Sequence, residues 1–217
     1  MNNLWNKRNH SNSISLDSLF LAVFILLYKF LVYDTSRLLA VGIPHDLSTP
    51  YEDLVPLIPG FIYIYFGSYL FWVVNYFLSL KEDKCKARAF AAADSLGETV
   101  AFFCFVFFPC TMVRPEIQGT GSAEKLLLFL YKIDGPDNLF PSLHCFNSIL
   151  AFLGIYRNPK IKKGYKVFSL LFALLVCAST LFVKQHVLVD TLFGMLLAPL
   201  SYGVGKLLFQ PRKEKEN

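Results

Sequence analysis

Charge is what this sequence has least of. Of its 217 residues, 17% are Asp, Glu, Lys or Arg, against about 25% in an ordinary soluble domain, which argues against a soluble catalytic domain. Long polar tracts are missing as well, and with the high apolar content that excludes intrinsic disorder. The five cysteines (Cys85, Cys104, Cys110, Cys145, Cys177) form no C-x-x-C pair and mostly lie inside apolar runs, so neither a disulfide framework nor a zinc site is indicated. No small-residue A-x-A site follows the first apolar run, so the sequence predicts an uncleaved anchor, not a removable signal. Internal repeats are absent too, and so are paired Gly/Pro-broken spans, the usual marks of a transport site.

What is present is grease. Hydrophobic residues make up 54% of the chain, with 22 Phe and 11 Tyr, and the mean hydropathy is +0.45. A spanning helix needs about 20 apolar residues, and six such runs can be read: 18–33, 55–80, 90–113, 142–156, 167–183 and 187–208. The expected fold is therefore an all-α integral membrane protein, a bundle of about six transmembrane helices. It forms a single unit over residues 16–208, between a polar tail at 1–15 and a basic tail at 209–217. Lys29 in the first run and Asp94 and Glu98 in the third must snorkel or face the bundle interior. Residues 123–131 are expected to form a short amphipathic helix lying over the outer surface. The aromatic abundance is expected to be lipid-facing surface and interfacial belt.

The net charge of +5 does not indicate nucleic acid, because the basic residues fall in short clusters between apolar runs. Fifteen of the 21 Lys and Arg (Lys7, Arg8, Lys81, Lys84, Lys86, Arg88, Arg157, Lys160, Lys162, Lys163, Lys166, Lys206, Arg212, Lys213, Lys215) fall on one side of the implied topology. Five (Arg37, Arg114, Lys125, Lys132, Lys184) fall on the other. By the positive-inside rule both termini are cytoplasmic, and the expected location is the cell membrane, as a multi-pass protein.

The remaining polar groups collect at the outer ends of the last four spans: Arg114-Pro115, Pro141-Ser142-Leu143-His144, and Ser179 through Asp190. His186 and Asp190 are one helical turn apart, where a carboxylate can fix the tautomer and raise the basicity of an imidazole. His144 sits beside Ser142 at a helix start, where free backbone N–H groups and the helix dipole favour an anion. Arg114 offers a planar fork for phosphate oxygens and Lys184 a point charge. Arg114 and Lys184 also read as headgroup-layer anchors, and Asp190 as a carboxylate favoured by a helix N-terminus. Two histidines, one oriented by a carboxylate and one beside a phosphate cradle, point to phosphoryl transfer with one attacking phosphorus and the other protonating the leaving oxygen. Such chemistry requires no metal, and a metal reading of His186 and Asp190 lacks an apparent third ligand beyond His144.

These three motifs, in this order between apolar spans, resemble the type 2 phosphatidic acid phosphatase superfamily across roughly residues 50–205. Asn138-Leu139-Phe140 before the P-S-L-H and the Lys184-Gln185-His186 run look closest to the branch of inositol phosphorylceramide synthases and their bacterial relatives. The resemblance implies a phosphohistidine on His186, oriented by Asp190, with His144 as the acid. Arg114 and Ser142 would bind phosphate, and Ser179 joins them within the third motif. It also implies a substrate that is a membrane lipid bearing phosphate or pyrophosphate, no cofactor, and an active site on the extracytoplasmic side. The chain departs from the family pattern twice, with Phe107 where a Lys is expected and Thr180 where an Arg is expected. Lys184 is the residue expected to take over part of their work. The function expected is a lipid phosphate phosphatase. Its rivals are a head-group phosphotransferase, a non-catalytic amphiphile transporter and an inactive assembly partner.

Overall fold

The computed structural model describes residues 15–209; the two tails, apart from Ser15 and Phe209 at their edges, lie outside the described residues. Among the described residues, seven helices account for most of the fold: α1 Leu16–Leu39, α2 Ile62–Leu80, α3 Lys84–Phe107, α4 Ser122–Ile133, α5 Leu143–Tyr156, α6 Lys163–Phe182 and α7 Leu188–Phe209. The protein is an all-α membrane protein. Five helices (α1, α2 with the turn before it, α3, α6 and α7) are long and apolar enough to cross a bilayer, and α5 is apolar but shorter. At 1.5 Å per residue, the 14 residues of α5 span about 21 Å of a hydrocarbon core about 30 Å thick. The fourth expected run is thus the right helix, but one that falls short of a full crossing.

The ends of these helices follow local chemistry. Ser15 caps α1 by accepting from the Ser18 amide, and Asp83 caps α3 by accepting from Lys86, each satisfying an amide that the first turn leaves free. The second expected run begins late, because residues 50–54 and 59–61 form short 3-10 turns behind Pro50 and Pro59. The third begins early, since the small residues Ala87, Ala89, Ala91 and Ala93 bury a close-packed face. The amphipathic segment is helix α4, longer than expected by a few residues, with Leu127 and Leu130 buried beneath it. A two-residue parallel bridge between β1 (His45–Asp46) and β2 (Cys110–Thr111) ties the loop after α1 to the end of α3.

Helix α3 is central and packs most heavily on α7 and α1, while α5 sits among α2, α6 and α7. The buried core joins Phe90, Ala93, Phe146 and Leu150 across α3 and α5. Most large apolar side chains on α1, α6 and the outer face of α7 remain exposed, as helices solvated by lipid require. The basic loops converge at one end, where Lys86, Arg157 and Lys206 surround one small cavity. The motif residues lie at the other.

One close approach positions everything that follows. A Cβ on Gly194 would stand 2.3 Å from the Ser142 carbonyl oxygen, so only glycine lets the first turns of α7 reach the loop before α5. Gly194→Ala is expected to destabilise the protein by about 2 kcal/mol or more and to depress activity, whereas Gly203→Ala, with open space around it, is expected to be neutral or slightly stabilising. Thermal unfolding in detergent of the two variants checks this; equal behaviour would contradict the packing described.

Candidate active site

The site is assembled at the junction of α5, α7 and the turn of residues 183–187 that precedes α7. Ser142 caps α5, accepting from the Cys145 amide at 3.4 Å, while its own amide donates to the Asp190 carbonyl at 3.0 Å. The first turns of α5 and α7 are thereby locked together. The Thr180 carbonyl at the end of α6 accepts from the amides of both Gln185 and His186, and Lys184 takes a positive φ of 52°. The turn therefore leaves α6 in a left-handed step and delivers His186 to the start of α7.

His186 Nδ1 lies 2.9 Å from Asp190 Oδ2. The ionised carboxylate can only accept, so Nδ1 carries the proton and Nε2 presents its lone pair. His186 lies in the turn outside the spans, and burial disfavours its charged form, but the Asp190 carboxylate and its hydrogen bond outweigh that and raise its pKa above the ordinary 6.5. His144 faces it across a groove, with ring centroids 6.3 Å apart. That gap is wide enough for a tetrahedral phosphoryl group between the two rings. His144 stacks on Tyr65 at 4.2 Å and lies within 5.7 Å of Trp72 and Tyr69. Its Nε2 is buried and has no partner.

Arg114 spends two guanidinium nitrogens on the carbonyls of Asp134 and Gly135 and on the Gln185 side chain, and its plane lies over the Tyr131 ring. Its Nε is buried and unbonded, and so is Gln185 Nε2. An unpaired buried donor is expensive, and here two of them belong to side chains bonded to each other. An anion is the kind of ligand that satisfies such donors.

Four of the expected site residues meet at this junction, His144, His186, Asp190 and Ser142, and Arg114 is joined to it through Gln185, the neighbour of His186. Two do not meet there. Lys184 donates to the backbone carbonyls of Glu52 and Val55 at 3.0 and 2.6 Å, because the left-handed turn swings its side chain onto the loop before α2. Ser179 is fully buried and donates back to the Val176 carbonyl one turn earlier in α6, a common use of a helical serine. At the two departures from the family pattern, Phe107 is 69% exposed and stacked on Phe103, facing outward, and Thr180 is wholly buried. Neither position puts a cation near the histidines.

Four features escape the sequence reading. Glu52 is one: one of its carboxylate oxygens accepts from the Leu188 amide at 2.9 Å and the other from the Thr49 amide, so a residue 136 positions away caps α7. The Thr49-x-x-Glu52 capping box is the sequence signal that marks it. Tyr65, Tyr69, Trp72 and Tyr76 recur at helical spacing on α2; the last three line the groove and Tyr65 is buried against His144, so the aromatic content is not all lipid-facing. Gln185 holds Arg114. Arg37, on α1, lines the groove mouth, bonded to Asp134, Asp137 and Tyr33.

The groove itself holds about 720 Å³ and runs from the histidines between α1 and α2 down to Leu80. Leu19, Ile25, Phe30, Val73 and Phe77 make its lower walls mostly apolar, a lining suited to acyl chains.

In a comparison with protein families, residues 65–213 match the PAP2 superfamily. No curated protein matches the chain, and no solved structure does.

Glu52 holds the register between the loop and the turn that carries His186. Burial raises its pKa, but the hydrogen bonds from Thr49 and Leu188 outweigh it and hold the carboxyl below its ordinary 4.5. The cap is thus complete above that value and is lost only as pH falls through the depressed one. Glu52→Ala is expected to destabilise by about 1 kcal/mol and to lower kcat more than it raises KM, while Glu52→Gln, which keeps an acceptor for Leu188, restores most of both. Full activity in the Ala variant would remove Glu52 from the positioning role.

Proposed function

The chain belongs to the PAP2 superfamily, whose members are phosphatases or phosphotransferases, and we propose that it is a lipid phosphate phosphatase working through a phosphohistidine. The single observation that carries this reading is the pairing of an Asp190-oriented His186 with a His144 whose Nε2 is unpartnered, the ring centroids 6.3 Å apart at the head of a largely apolar groove.

His186 Nε2 attacks phosphorus in line with the ester oxygen of the lipid. The P–N bond forms as the P–O bond breaks, and protonated His144 delivers its proton to the departing lipid oxygen. Asp190 stabilises the charge that accumulates on His186. Arg114 and the first turn of α5 at Ser142 neutralise the phosphoryl oxygens, work that a metal performs in other phosphoryl transfers. Water then loses a proton to His144 and attacks phosphorus, releasing phosphate and restoring neutral His186. No step in this sequence calls on a metal or a cofactor.

The basic loops clustered at the opposite end of the bundle support an extracytoplasmic site in a cell-membrane protein. The phosphotransferase version shares the first half-reaction and differs only in replacing water by a lipid or head-group alcohol. One feature favours it: the polar mouth formed by Arg37, Asp134 and Asp137, which offers a hydroxyl both donors and acceptors beside the phosphorus.

Purified protein supplied with phosphatidate or a polyprenyl pyrophosphate in EDTA is expected to release phosphate, and His186→Ala to lower the rate by several orders of magnitude. Strict dependence on a divalent metal, or a rate that survives His186→Ala, would overturn the mechanism. Only neutral His186 attacks, and its pKa lies above 6.5, so kcat/KM is expected to rise with pH through that raised value and to fall again once His144 no longer holds the proton it must deliver. A profile flat through this range would contradict the assignment. Added alcohols that divert phosphate into a new lipid product would identify the transferase.

A further inference from the structure

Below the histidines, the groove meets a second polar cluster buried within the spans. Lys29 on α1 donates to Asp94 Oδ1 at 2.7 Å, to Glu98 Oε1 at 2.5 Å and to Asn147 Oδ1 at 2.7 Å. Its three N–H bonds are thereby used. Tyr76 on α2 donates to Asp94 Oδ1 at 2.6 Å. Four helices, α1, α2, α3 and α5, thus converge on one ammonium and two carboxylates.

Two features of the cluster exceed what packing needs. Asp94 and Glu98 are 0% and 1% exposed, yet Asp94 Oδ2 and Glu98 Oε2 have no hydrogen-bond partner. One cation against two carboxylates also leaves a formal excess of negative charge in a low-dielectric setting, where unpaired polar groups are most costly. Glu98, Lys29 and Asn147 all line the groove. Asn147 follows His144 by three residues on α5, so the cluster lies on the same face about 4.5 Å deeper along the helix. A lipid with its phosphate between the histidines passes this point a few bonds beyond phosphorus, before its chains reach the apolar floor.

We propose that the Lys29–Asp94–Glu98–Asn147 cluster is a substrate-reading subsite that accepts a hydrogen bond from the lipid backbone, selecting substrates with an O–H or N–H group close to the phosphate. Carboxylate oxygens accept and do not donate. A lipid whose backbone carries only ester carbonyls leaves Glu98 Oε2 unsatisfied. One carrying a hydroxyl, an amide N–H or a protonated amine satisfies it. The selectivity follows from the general asymmetry by which a site built to bond a polar group rejects an analogue lacking it. The inference rests on the phosphatase reading only for the direction in which the lipid lies.

The test compares phosphatidate, which has no donor near the phosphate, with ceramide 1-phosphate, which has a hydroxyl and an amide, and with sphingosine 1-phosphate, which has a hydroxyl and an amine. Wild-type kcat/KM is expected to favour the donor-bearing lipids by at least about tenfold, and Glu98→Gln to reduce that ratio to within about threefold. Preference for the amine lipid over the amide lipid would identify a cation as the ligand, and equal preference a neutral donor. Equal treatment of all three lipids by wild type, or rates that fall together in the variant with the ratio intact, would overturn the proposal. Glu98→Asp, which withdraws the oxygen by one methylene, supplies the same ratio if Glu98→Gln does not fold.

Binding is read separately, without turnover. In a Trp5→Phe background, Trp72 in the groove wall reports titration with diacylglycerol or ceramide. Tighter ceramide binding that Glu98→Gln abolishes is expected even if no phosphate is released from any lipid, a result that would end the phosphatase reading but not this one. Indistinguishable titrations would end the subsite.

Discussion

The hydrogen bond from the Ser142 amide to the Asp190 carbonyl is the point on which the site depends. It joins the start of α5, which carries His144, to the start of α7, which carries Asp190 and follows His186. Gly194 makes the approach possible by removing the side chain that would strike Ser142. From that junction follows the 6.3 Å spacing of the imidazole centroids, and Gln185, next to His186, keeps a buried donor unpaired, as does the Arg114 it binds. A bundle whose outer surfaces are solvated by lipid has no water to satisfy such groups at depth. Two unpaired donors on side chains bonded to each other are therefore a statement about what belongs there.

The same rule explains why the second cluster stands out. Lys29, Asp94 and Glu98 are the ionisable residues that the span pattern tolerates least, and the fold deals with them by turning all three inward to one another. Of the two carboxylates with an unpaired oxygen, Glu98 lines the groove that also holds the histidines. On the proposed reading, the phosphate and the lipid backbone are met at two depths of one groove, about one turn of α5 apart.

Much of the fold was legible in the sequence because a bilayer enforces a simple code: long apolar runs separated by basic clusters. The helices appear where those runs lie, and the amphipathic segment around Leu127 is helical. The boundaries moved where local chemistry overrides hydropathy, as at Pro50 and Pro59 before α2 and at the alanine-rich start of α3. At the site, the motif spacing singled out His144, His186, Asp190 and Ser142, which the fold gathers at the start of α5 and α7, and Arg114, which it ties to Gln185. It was not enough to direct the side chains of Lys184 and Ser179, because a left-handed turn and a helical back-bond are decided by local backbone geometry. Glu52 and Gln185 were hidden for another reason. Their partners are distant in sequence or are backbone groups, and only the folded chain brings a loop carboxylate to the first amide of α7.

The central claim is that His186, oriented by Asp190, becomes covalently phosphorylated. Rapid acid-free quenching of protein mixed with a radiolabelled lipid phosphate, followed by peptide mapping, examines it most directly. The account predicts an acid-labile, base-stable phosphoryl group on the peptide containing His186, absent in His186→Ala. Label on the peptide containing His144, or turnover with no trapped label at either histidine, would contradict it.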